Sequence, residues 1–139
     1  MMTVRVVLLL ATVLAAPAVA AQPAERGAAG VDEGRALFLT YCSSCHGTTG
    51  RGDGPVSETL RGRPADLTEL ATATEGALIT QRIQRIIDGR DRHIKAHGSL
   101  EMPVWGDAFK RREGLSEEAI KARIEAIVNY IQSIQHRKG

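Results

Sequence analysis

The chain has 139 residues, a formal net charge of +2, 4% aromatic residues and two cysteines. That length suits one domain, and so small a net charge excludes the strongly basic face that a nucleic-acid partner would need. Two cysteines are too few for an all-cysteine structural zinc site or for a disulfide framework.

The chain opens with Arg5, an apolar run over residues 6–16 broken only by Thr12, then Pro17 and Ala18-Val19-Ala20. A positive start, a short apolar stretch and small residues predict an export signal over residues 1–20, cut after Ala20 or Ala21. The run is short for a membrane span, which makes an uncleaved anchor the lesser alternative. Residues 21–30 are small and polar and read as a flexible lead-in, leaving 31–139 as the domain. Val31 or Asp32 opens the first helix, with Glu33 in the first turn, where the helix dipole favours an acid. Gly34, Leu37, Phe38 and Tyr41 share one side. A glycine inside a helix costs about 1 kcal/mol against alanine, so Gly34 marks the close approach of another backbone.

The helix leads straight into Cys42-Ser43-Ser44-Cys45-His46. Cys-x-x-Cys-His is the attachment signature of a c-type haem. Cysteines three apart on one helical turn are neighbours and can reach the two vinyl groups on one porphyrin edge. The following His46 then offers a neutral imidazole nitrogen to the iron. A thioredoxin-like motif would need a βαβ pattern, which the chain lacks, and a disulfide across two residues would constrain almost nothing.

Residues 47–55 form a glycine-rich loop without the Lys-Ser/Thr ending of a phosphate cradle. The loop is expected to pass close to a flat macrocycle, since glycine lets backbone approach a bulky group. The carbonyl of Pro55 is a candidate partner for the second ring nitrogen of His46, a bond that would orient the imidazole. Asp66 is a candidate N-cap for a short turn, and Thr74 caps the next helix. Leu78, Ile79, Ile83, Ile86 and Ile87 make that helix's apolar stripe, and Gly89 ends it. Residues 76–100 carry five basic side chains, Arg82, Arg85, Arg90, Arg92 and Lys95, against two acids, a candidate docking area for an acidic partner.

Met102 is the only methionine beyond the predicted signal, and it stands in Met102-Pro103-Val104-Trp105-Gly106, where Gly106 suits a tight turn. Met/His ligation is the electron-carrier arrangement for haem iron, so Met102 is the candidate second axial ligand. His93 and His97 are competing ligands, and His136 in the polar tail is expected to face solvent. Ser116 caps the last helix ahead of Glu117 and Glu118, with Arg137 and Lys138 near its end. Ile120, Ile124, Ile127, Ile131 and Ile134 repeat at alternating four- and three-residue steps along one face.

Together these residues resemble the class I monohaem cytochromes c of bacteria, over about residues 32–135. The resemblance rests on Cys42, Cys45 and His46, the glycine-rich loop ending at Pro55, Met102-Pro103-x-Trp105-Gly106, and the terminal helix pair. It implies an all-α cytochrome c fold of about four helices wrapped round one haem c bound through Cys42 and Cys45. It also implies axial ligands His46 and Met102, with Pro55 and Trp105 beside the cofactor, and a crossing of Gly34 and Phe38 with Ile127 and Tyr130.

The function expected from it is single-electron transfer in the periplasm, between redox partner proteins met transiently. The chain would then be no enzyme, with no small-molecule substrate and with membrane contact only through partners. Two alternatives remain at this point. One is a subunit permanently held in a dehydrogenase or oxidase complex. The other is a haem peroxidase or gas sensor whose sixth ligand is displaceable.

Overall fold

In the computed structural model, residues 23–70, 76–91 and 101–136 are described. The export signal, the Thr74 cap, Arg92, Lys95, His93, His97, Arg137 and Lys138 lie outside them. The described chain is helical, as an all-α fold requires: α1 (Pro23–Tyr41), α2 (Ser43–His46), a 3-10 turn (Ser57–Thr59), α3 (Gly76–Asp88), α4 (Trp105–Glu113) and α5 (Glu117–Ser133).

The organising contact is α1 against α5. Ser116 Oγ accepts the Ala119 N–H at 3.2 Å and starts α5, with Glu117 and Glu118 in its first turn. Ile120, Ile124, Ile127 and Ile131 are buried, joined by Ala126, Val128 and Tyr130. Gly34 meets this surface. A Cβ added there would overlap the Ala126 carbonyl oxygen and lie 2.7 Å from its carbon and 3.0 Å from Tyr130 Cβ. The missing side chain therefore lets the two backbones touch, and one turn later fully buried Phe38 stacks on Tyr130, ring centroids 5.2 Å apart.

Two elements differ from the sequence expectation. First, α1 starts at Pro23, so residues 23–30 are helix and not a flexible lead-in. A helix nucleated by its packed half extends backward at little cost through Ala24, Ala28 and Ala29, and proline suits a first helical position because its missing N–H has no partner there anyway. Second, the segment after Pro103 does not stop at a tight turn but forms α4, ended by left-handed Gly114, whose N–H donates to the Lys110 carbonyl at 3.2 Å. Phe109 is its buried anchor.

Buried Gly106 sits in the first turn of α4, where a Cβ would crowd Asp88 Oδ1 at 2.7 Å and strike the Arg90 guanidinium. Its smallness admits an ion-pair network. Arg90 Nε bonds Asp88 Oδ1 at 2.7 Å, its Nη1 bonds Glu117 Oε2 at 2.7 Å, and Lys110 Nζ bonds Glu117 Oε1 at 2.7 Å. The network joins the end of α3, α4 and the start of α5. Arg90 is thus paired with two carboxylates of the fold, Asp88 and Glu117. Ile83 and Ile87 bury the inner face of α3, and Gly89 ends it at φ 69° as expected.

Candidate haem site

The haem motif is the continuation of α1. The Cys42 N–H donates to the Phe38 carbonyl at 2.9 Å, so the anchored Phe38 carries the first cysteine with it. Ser43 Oγ bonds the Leu39 carbonyl at 2.6 Å, and the His46 N–H reaches the Cys42 carbonyl at 2.9 Å. Cys42, Cys45 and His46 are thereby displayed on a single turn.

Tyr41, just before the motif, is held by an aromatic group: its ring lies 5.5 Å from Trp105 and 5.3 Å from Phe109. Its hydroxyl donates to Glu113 Oε1 at 3.0 Å, and the Arg123 guanidinium, paired with Glu113, covers Phe109 at 5.0 Å. Trp105 is thus packed on protein rings at the start of α4, beside the end of α1.

The glycine-rich loop folds back on the motif. Val56, Gly54 and Gly52 donate their N–H groups to the carbonyls of Ser44, Cys45 and His46 at 3.1, 3.1 and 2.8 Å. These are the carbonyls that the end of a helix leaves without an intrahelical donor. A Cβ at Gly54 would overlap Ser44 and lie 2.7 Å from the Cys45 carbonyl carbon, and one at Gly52 would overlap the Pro64 carbonyl. Gly52 and Gly54 therefore admit the chain's own backbone.

His46 is half-buried, and the carbonyl 3.2 Å from its Nδ1 belongs to Ala65, where Pro55 was expected. Exposed Pro55 starts the turn that returns to Ser44 through Val56, whereas the loop's later return, sealed by the Leu67 N–H to the Gly50 carbonyl at 2.7 Å, brings residue 65 to the imidazole. A carbonyl only accepts, so in this contact Nδ1 would donate and the lone pair would fall on Nε2, one of the two nitrogens through which histidine binds a metal. Asp66 caps a short turn, as its sequence position suggested. Its Oδ1 accepts both the N–H and the hydroxyl of buried Thr68, at 2.8 and 2.6 Å, in a turn that also receives the His136 N–H at the Thr68 carbonyl. His136 is exposed, as its polar surroundings suggested, but its backbone is tied down.

Cys42 and Cys45 are not joined in a disulfide. Burial, and then the neighbouring Cys45, pushes the Cys42 thiol up to about 12. Among the described residues no three His, Cys, Asp or Glu side chains gather as a metal cluster. Two cysteines and one imidazole on one turn fit thioether attachment with histidine ligation. Met102 is half-buried and packs against the hydrophobic core ahead of α4.

The family model described as Cytochrome c matches residues 31–135. The chain belongs to the cytochrome c family. Neither a curated protein nor a solved structure matches this cytochrome. The family accounts for the all-α fold, for haem c as the cofactor and for electron transfer as the general function. It also explains why the motif sits on the helix that α5 holds down: the site of a cytochrome c is built onto its terminal helix pair. Among the described residues no helix is long and apolar enough to cross a membrane.

Proposed function

We propose that this cytochrome is an exported, periplasmic carrier of single electrons between redox partner proteins. Haem c is held through Cys42 and Cys45, and its iron by His46 and Met102; when bound, the group supplies an iron that cycles between ferric and ferrous states. What supports the reading most is the His46 geometry, in which Nδ1 lies 3.2 Å from the Ala65 carbonyl, a partner that would orient the imidazole. With His46 and Met102 both holding the iron, the chain would leave no place for a substrate on it, and a thioether paired with histidine would favour a high potential. Partners would meet the protein through a small, transient interface of the redox type.

The test is Met102→Ala in the haem-loaded protein. The weak far-red sulfur–iron band of the oxidised parent should disappear, and ferrous carbon monoxide binding should become fast. Haem should stay with the polypeptide through denaturing electrophoresis in both. A parent that already binds carbon monoxide as fast as the variant would replace the carrier by the sensor or peroxidase reading. Haem lost to acid acetone would remove the thioethers.

A further inference from the structure

We propose that Glu101 is a positioning residue for Met102, its carboxylate tying the segment that bears the sulfur to the segment that leads out of the haem motif. The inference rests on the reading of Met102 as the second axial ligand.

The half-buried Glu101 accepts the backbone N–H of Arg61 with both carboxylate oxygens, at 3.1 Å to Oε1 and 3.0 Å to Oε2. Arg61 is the far end of a hydrogen-bonded path that begins between the two motif cysteines. The Val56 N–H donates to the Ser44 carbonyl at 3.1 Å, the Thr59 N–H to Val56 at 3.1 Å and the Leu60 N–H to Ser57 at 3.4 Å. From Ser44 the path thus runs through residues 56–61 to Glu101, the residue before Met102. It links positions 40 apart in the sequence, and it is much shorter than the route through α3.

On its other side the Met102 segment is held by packing. A Cβ at Gly89 would lie 3.2 Å from Val104 Cα, and one at Gly106 would crowd Asp88 at 2.7 Å, so residues 104–106 rest on the 88–90 turn with its ion pairs. That anchor is broad and made of many groups. Among the described residues, the anchor on the Glu101 side is one carboxylate on one amide. Such charge-assisted bonds are roughly twice as strong as neutral ones, and a backbone donor has no rotamer freedom with which to follow a drifting loop. Removing the carboxylate therefore frees the upstream side of Met102 while the helix ends stay fixed.

Imidazole binding to the ferric holo-protein reads this directly, because the external ligand must wait for Met102 to leave and its apparent affinity scales with the released fraction. Glu101→Ala should bind imidazole about tenfold more tightly than the parent, the scale of one lost charge-assisted hydrogen bond. Glu101→Gln, which keeps a carbonyl acceptor, should recover most of the difference, and Glu125→Ala, an exposed acid on α5, should leave the affinity unchanged. Arg61→Pro deletes the donor with Glu101 in place. It should match Glu101→Ala, with the double variant binding imidazole no more tightly than either, and it serves as the reading if Glu101→Ala does not fold. Unchanged imidazole affinity in a protein whose parent shows the sulfur–iron band would overturn the positioning role and leave the Met102 ligand intact, as would additive effects of the two substitutions. A parent without that band would overturn the ligand reading and the proposal with it.

Discussion

Alanine in place of glycine should have opposite effects at two positions one turn apart on α1. At Gly30 an added Cβ meets nothing within 4 Å. Gly30→Ala therefore keeps the helix-propensity gain of about 0.4–1 kcal/mol and should raise the melting temperature slightly. At Gly34 the added carbon would sit 2.7 Å from the Ala126 carbonyl carbon and overlap its oxygen. That is about 1 Å inside the carbon–carbon optimum of roughly 3.5–4.0 Å. The obstacle is backbone in the middle of α5, so no side chain can swing aside, and α1 has to retreat, loosening Phe38 from Tyr130. Overpacking costs about 1–3 kcal/mol; taking the upper end and subtracting the propensity gain of about 1 kcal/mol leaves a net loss near 2 kcal/mol. For a domain of this size that lowers the melting temperature by about 8–10 °C. Far-ultraviolet circular dichroism of the holo-protein through thermal unfolding measures both variants. Equal melting temperatures for Gly34→Ala and Gly30→Ala would refute backbone contact at Gly34 as the device that seats the two helices.

The bonds from Arg90 hold the Asp88 carboxyl below its usual range, and partial burial opposes them only in part. A depressed folded-state value contributes stability above the unfolded value, near 3.8, that is lost as pH falls through the folded one. Urea midpoints taken from pH 6 downward should therefore fall less steeply below about pH 4 in Asp88→Asn than in the parent. Ser116→Ala removes the acceptor of the Ala119 N–H and should cost about 1 kcal/mol in urea unfolding, without moving the haem spectrum.

The parts of this fold that could be read from the sequence are those whose cause is local. The haem motif is a spacing of three reactive side chains, the start of α5 is a serine ahead of two acids, and its core face is a run of isoleucines at helical spacing. Gly34 was legible because a glycine in a helix needs a reason. Helix α4 was not. Its apolar content is essentially Trp105, Ala108 and Phe109 among charged residues, and Pro103 and Gly106 look like turn residues until the Asp88–Arg90 pair is seen to occupy the glycine's missing side chain. Arg90 itself looked like one charge in a basic run, because its partners Asp88 and Glu117 converge only in the fold. The Ala65 carbonyl at His46 was equally hidden, since backbone acceptors carry no sequence signal and residue 65 arrives only by way of the Leu67–Gly50 closure. A conspicuous proline nearer the motif drew the assignment away from it.

The pairing of α1 with α5 also orders events in time. Nearly all of the family-matched stretch lies between Gly34 and Ala126, so a chain emerging from its N-terminal end carries the two cysteines out long before the partner of their helix exists. Contacts so distant in sequence form late, after the entropy of closing the intervening chain has been met. During that interval α1 has no α5 to rest on, and a helix of its length alone in water is marginal. Burial of Cys42 awaits the same closure. The thiols are therefore most open to chemistry in the nascent and newly released chain, and the docking of α5 ends that window.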